Sequence, residues 1–115
     1  MENVLLSLVG ESVNGICFVM DYVEIHFNGP ILRCLSNPII LFHSKAIQFP
    51  ASGSRDAICS LIGDVVTSVT VEEEVSIDIN LKSGKLLKVP LDASSRKSDE
   101  AAHFVPGPDQ PIQIW

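Results

Sequence analysis

The chain has 115 residues, 46% of them hydrophobic and 19% charged, with a positive mean hydropathy; this predicts one compact domain over 1–115 and excludes a disordered or highly solvated chain. Fourteen acidic against eight basic side chains give a formal charge of −6 and an isoelectric point near 4.8. That balance argues against nucleic acid, whose phosphates need clustered Lys and Arg, and favours a basic partner.

The opening, MENVLLSLVG, has an acidic second residue, no basic start and an apolar run too short for a signal-peptide core or a membrane span. A cytoplasmic protein with no membrane partner is expected. Asn3 is placed to cap a short helix with an apolar side of Val4, Leu5 and Leu8 and a stop at Gly10. After the stretch that ends at Phe18, Val23, Ile25 and Phe27 alternate with Glu24, His26 and Asn28, the period-2 pattern of a strand with one wet face. Asn28-Gly29 signals a hairpin turn, and a third strand follows over Ile31 to Leu35 with Arg33 outward and Leu32 and Cys34 inward. PIILFHSKAIQFP then predicts an inserted hairpin within 37–50, Ile39 to His43 against Ala46 to Phe49, followed by a loop to Ser54.

From Asp56, a second candidate cap, the pattern begins again. Ser7, Leu8, Gly10 and Val13 recur as Ser60, Leu61, Gly63 and Val66, and Ile16 and Phe18 recur as Val69 and Val71. With a one-residue slip Val23, Ile25, Phe27 and Asn28 match Val75, Ile77, Ile79 and Asn80; after a small insertion Gly29, Leu32 and Arg33 match Gly84, Leu87 and Lys88. This is an internal duplication with a period of about fifty residues, repeat one over 3–35 and repeat two over 56–91. DASSRKSDE reads as a mobile polar loop, and 100–115 as a C-terminal hairpin around Pro106-Gly107-Pro108 ending in the sole tryptophan, Trp115, expected to close the core. The predicted fold is mainly β with two short helices: a duplicated helix-plus-three-stranded antiparallel meander, related by a pseudo-twofold and packed as a sandwich or partly open barrel.

The motif Leu, Val or Ile, Gly, two residues, Val ahead of each meander, the glycine hairpin before a basic or polar strand, and the terminal Trp together resemble a family of small bacterial all-β proteins. The resemblance spans Leu5 to Trp115. It implies a mainly β fold and carries over no catalytic residue. Similar small acidic β proteins serve as immunity proteins beside bacterial toxins, and the resemblance implies that role here as a fold-level analogy.

Three histidines, His26, His43 and His103, fall on separate strand or turn segments with no acidic residue at ligand spacing, so neither a metal site nor a catalytic histidine is expected. Cys17, Cys34 and Cys59 are odd in number and widely spaced, which predicts free thiols without a disulfide framework or zinc site. No phosphate loop, dinucleotide fingerprint or nucleophile elbow is present, and neither enzyme activity nor a cofactor is expected. Charge is placed unevenly: Ser60 to Leu81 carries Asp64, Glu72, Glu73, Glu74 and Asp78 with no Lys or Arg. These five carboxylates are the expected partner-binding surface, an acidic face able to steer a basic toxin domain. Two other readings are a small-molecule site in a cleft between the repeats, where His26 or His103 would converge, and a self-associating module, a homodimer, that pairs its strand edges.

Overall fold

The two stretches that repeat in the sequence are hydrogen-bonded to each other. In the computed structural model, which describes residues 4–115, Gly10 donates its N–H to the Val66 carbonyl at 2.8 Å and Gly63 donates to the Val13 carbonyl at 2.8 Å. Between them Val13 donates to Asp64 and Val66 donates to Glu11, both at 2.9 Å. Every bond in this short ribbon has its counterpart in the other copy, around the antiparallel bridge Ser12 to Val65. The repeated motif is therefore the contact by which the copies meet on a pseudo-twofold.

Its glycines are required by the backbone. Gly10 and Gly63 sit at φ +90° and +91°, left-handed values that bring the chain out of the preceding turn. Nothing lies within 4 Å of a Cβ built at Gly63, so alanine there meets no clash and pays only in backbone strain. Gly63→Ala is expected to cost about 1–2 kcal/mol, measured as a lower urea midpoint with an unchanged slope.

A 3-10 turn over Val4–Leu8 precedes the ribbon in the first copy and helix α1, Ser54–Cys59, in the second. Leu5 and Leu8 of the 3-10 turn, Ile58 of α1 and Leu61 just after it are buried in one core, while Val4 is exposed. The helix starts earlier than its sequence suggests: Gly53 is the N-cap, in the left-handed region, and Asp56 lies inside the first turn rather than capping it. The expected cap at Asn3 lies outside the described residues.

The meanders are β1 (Gly15–Val19), β2 (Tyr22–His26) and β3 (Ile31–Cys34), then β6 (Val66–Glu72), β7 (Ser76–Leu81) and β8 (Leu86–Pro90). Between them run β4 (Ile39–Phe42) and β5 (Lys45–Gln48), and after them β9 (Ala102–Val105) and β10 (Gln113–Ile114). Among the described residues all strand pairings are antiparallel, in two open five-stranded sheets of order β1-β2-β3-β9-β10 and β5-β4-β8-β7-β6. The fold is mainly β, as the alternation predicts. Each hairpin crosses over: β4–β5 follows the first meander but pairs with β8 of the second, and β9–β10 follows the second but pairs with β3 of the first.

This exchange makes the two hairpins counterparts. Phe49 donates to the Pro38 carbonyl at 3.0 Å after β5, and Trp115 donates to the Ala102 carbonyl at 3.0 Å after β10. Both aromatic side chains lie against the core. The crossovers are stapled by the buried Ser36, whose hydroxyl donates to the Pro90 carbonyl and whose backbone N–H, with that of Leu35, donates to the Ala101 carbonyl.

The registers correct one correspondence. Ile25 pairs with Leu32 and Ile79 with Leu87, so Val23, Ile25 and Phe27 match Ile77, Ile79 and Leu81, not Val75, Ile77 and Ile79. Val75 is 47% exposed, outside the strand, in the β6–β7 turn. Under this register the cross-strand pairs Glu24 with Arg33 and Asp78 with Lys88 occupy equivalent places on the two outer faces. The polar stretch after β8 contains a 3-10 turn, Ala93–Ser95, tied by Ser94 and Ser95 donating to Asp92 and by Arg96 Nε donating to the Leu91 carbonyl.

Candidate functional site

The five carboxylates expected to form one acidic surface separate into three environments. Glu72 ends β6, and Glu73 and Glu74 form the turn into β7, with Glu74 at φ +63°. All three are exposed and, among the described residues, their side chains make no ion pair or hydrogen bond. Asp78 stands on the outer face of the same sheet, on the strand leaving the turn, where it accepts from Ser76 at 2.9 Å and faces Lys88 at 3.8 Å. Asp64 lies beyond the other end of β6, roughly 25 Å from Glu72 along an extended strand, and does not belong to the tip.

Asp64 instead fastens the loop before β8. Its carboxylate accepts from the Val65 N–H at 3.0 Å, from the Ser83 N–H at 3.2 Å and from the Ser83 hydroxyl. Partial burial pushes its pKa up, but the bonds from Ser83 and Val65 and the charge of Lys85 outweigh burial and hold the carboxyl below its usual range.

The histidines do not converge. His26 and His103 are on the outer face of the first sheet, but His26 pairs with Ile31 of β3 and His103 with Arg33. Each is held by a carboxylate: His26 Nε2 donates to Glu24 at 3.0 Å and His103 Nε2 to Glu100 at 2.7 Å. Glu24 also accepts from Arg33 Nε at 3.0 Å. Burial works to raise the Glu24 pKa, and the bonds from His26 and Arg33 overcome it and lower it. His43 sits in the β4–β5 turn at φ +57°, its ring against Phe42. Among the described residues no group of three or more His, Cys, Asp or Glu is placed to hold a metal ion, and none of the helices is long and apolar enough to cross a membrane.

Two concavities hold side chains that sequence reasoning did not single out. One, of 540 Å³, lies between the β4–β5 hairpin and α1, with Lys45 and Lys85 among its lining residues. The other, of 330 Å³, runs between Met20, Phe49 and Lys97. There the Arg55 guanidinium lies 5.0 Å from the Phe49 ring centre, and Lys97 donates to the Asp21 carbonyl. Met20, at the β1–β2 turn with φ +48°, is 96% exposed. A visible signal was an apolar residue at a turn tip, where polar residues and glycine are the rule.

No family model, curated protein or solved structure matches the chain.

Proposed function

We propose that the chain is a non-catalytic binding protein of the immunity type, which engages a basic protein partner through the β6–β7 tip. The observation that carries this reading is the tip itself. Three consecutive carboxylates stand exposed and unpaired beside an exposed valine, Val75. Carboxylates with no internal partner are free to attract a cationic surface at long range, and an adjacent apolar side chain supplies contact area once the surfaces meet. The tip is also where the copies diverge: the corresponding turn of the first copy is Met20-Asp21, with one carboxylate. The fold therefore does not need the acidic run to make a turn. Asp64 and Asp78 contribute less to this surface, because each already has internal partners.

The test is association with the product of the adjacent upstream gene. Binding at low salt is expected, with an on-rate that falls as salt rises. Replacing Glu72, Glu73 and Glu74 with lysine should slow association at least about tenfold. No association at low salt, or unchanged association by the triple variant, overturns the proposal.

A further inference from the structure

We propose that the cleft between the β4–β5 hairpin and α1 binds a small amphipathic carboxylate, with its alkyl body on the apolar wall and its carboxylate between Lys45 and Lys85. The cleft follows from the hairpin's register and the helix's side chains. Ile40 stands opposite Ile47 and Phe42 opposite Lys45, so these four share the face turned towards α1. Across from them the helix presents Ala57, too short to fill the space, and its C-cap residue, Ser60, follows. The resulting 540 Å³ lies within the range of about 300–1,000 Å³ in which proteins hold small ligands, and it has the usual makeup of mainly apolar walls with a few polar groups.

The polar groups are cationic. Lys85 Nζ donates to the Ser60 hydroxyl at 3.0 Å and lies 5.6 Å from the Phe42 ring centre, so the ammonium is held over the apolar wall. The carboxylate that acts on it, Asp64, is already engaged by Ser83 and Val65. Lys45 has no ion pair among the described residues. On a chain of net charge −6, two lysines beside one apolar cleft select an anion with a hydrophobic body. A neutral or cationic amphiphile of equal length would lose that contribution.

The site lies apart from Glu72–Glu74, so it stands or falls independently of the partner-binding reading. The test is titration of the isotopically labelled full chain with sodium decanoate below its micelle concentration, followed by amide NMR. Decanol and decyltrimethylammonium serve as tails of the same length. Saturable shifts at Ile47, Ala57 and Ser60 are expected, with decanoate binding about tenfold more tightly than either control, the effect of one charge-assisted contact. The Lys45→Gln/Lys85→Gln variant should lose that tenfold for decanoate and leave decanol unchanged. Ala57→Trp should abolish binding of all three while keeping native amide dispersion. Absence of saturable shifts at these positions, equal affinity for decanoate and decanol, or shifts confined to the exposed Leu6, Val9 and Ile62 would overturn the proposal. The first two can be read on the native chain, so a misfolded variant does not shield it.

Discussion

Phe104→Ala is expected to lower stability by about 3–5 kcal/mol, among the largest losses available to a single substitution in this fold. Phe104 is fully buried. It lies on β9, the strand that leaves the second meander to pair with β3, and it stands opposite Leu32 in the first sheet. Truncation therefore removes apolar contacts and opens a cavity at a place where one copy's strand completes the other copy's sheet. For a domain of this length the loss corresponds to a fall of roughly 10–20 °C in melting temperature. Phe42→Ala is the control: Phe42 occupies the same kind of hairpin in the other sheet, but it is 37% exposed, and its loss should cost about 1 kcal/mol or less. The measurement is urea denaturation followed by both circular dichroism and Trp115 fluorescence. Because each hairpin is built into the opposite sheet, both signals should move together in one transition. If Phe104→Ala shifts only the Trp115 signal, β9–β10 is a separable flap and the interlocked description fails.

The same exchange explains what could and could not be read from the sequence. Strand facing was legible, because Val23, Ile25, Leu32, Cys34, Ile77, Ile79, Leu87 and Val89 obey a period of two and all are buried. The alignment of the second strands is ambiguous in the sequence for the same reason. A two-residue slip keeps every side chain on its face, so alternation alone does not distinguish Val75 from Ile77 as the partner of Val23; pairing with β8 does. The hairpins do not look like copies in the sequence, because their turns differ in length and they share little beyond apolar character, Ile40 against Phe104 and Phe49 against Trp115. Their likeness is in hydrogen bonds to the opposite half, a long-range property.

The candidate sites divide in the same way. Exposure of Glu72, Glu73 and Glu74 was legible, since three adjacent carboxylates in a turn have nowhere else to go. The position of Asp64 was not. Its partner Ser83 lies on the far side of a strand pair, and nearness in sequence to the acidic run suggested a common surface that the length of β6 precludes. Lys45, Lys85 and Ala57 meet only because β4 joins the second sheet. No local pattern announces that meeting.

Above about pH 9 the chain should lose stability more steeply than its surface charges explain, and Cys34→Val should remove the excess. Cys34 is fully buried on β3, and burial away from water pushes its thiol from the ordinary 9.0 up to about 12. In the unfolded chain the same thiol ionises near its ordinary value. Below about pH 9 both states keep the proton, and the thiol makes no pH-dependent contribution. As pH rises past that point the unfolded state loses the proton while the folded state retains it, so unfolding is favoured by about 1.4 kcal/mol for each pH unit until the folded pKa is reached. Comparison with a variant that lacks only this thiol isolates its contribution. Valine is the apt replacement, because Val89 occupies the equivalent place beside Lys88 that Cys34 occupies beside Arg33. At neutral pH the swap should cost less than about 1.5 kcal/mol. Between about pH 9 and 11, urea denaturation of the two proteins should show the native chain losing ground to Cys34→Val by roughly 2–3 kcal/mol. Parallel stability curves across that window would mean that water reaches the thiol, and that the core around β3 opens more readily than its burial implies.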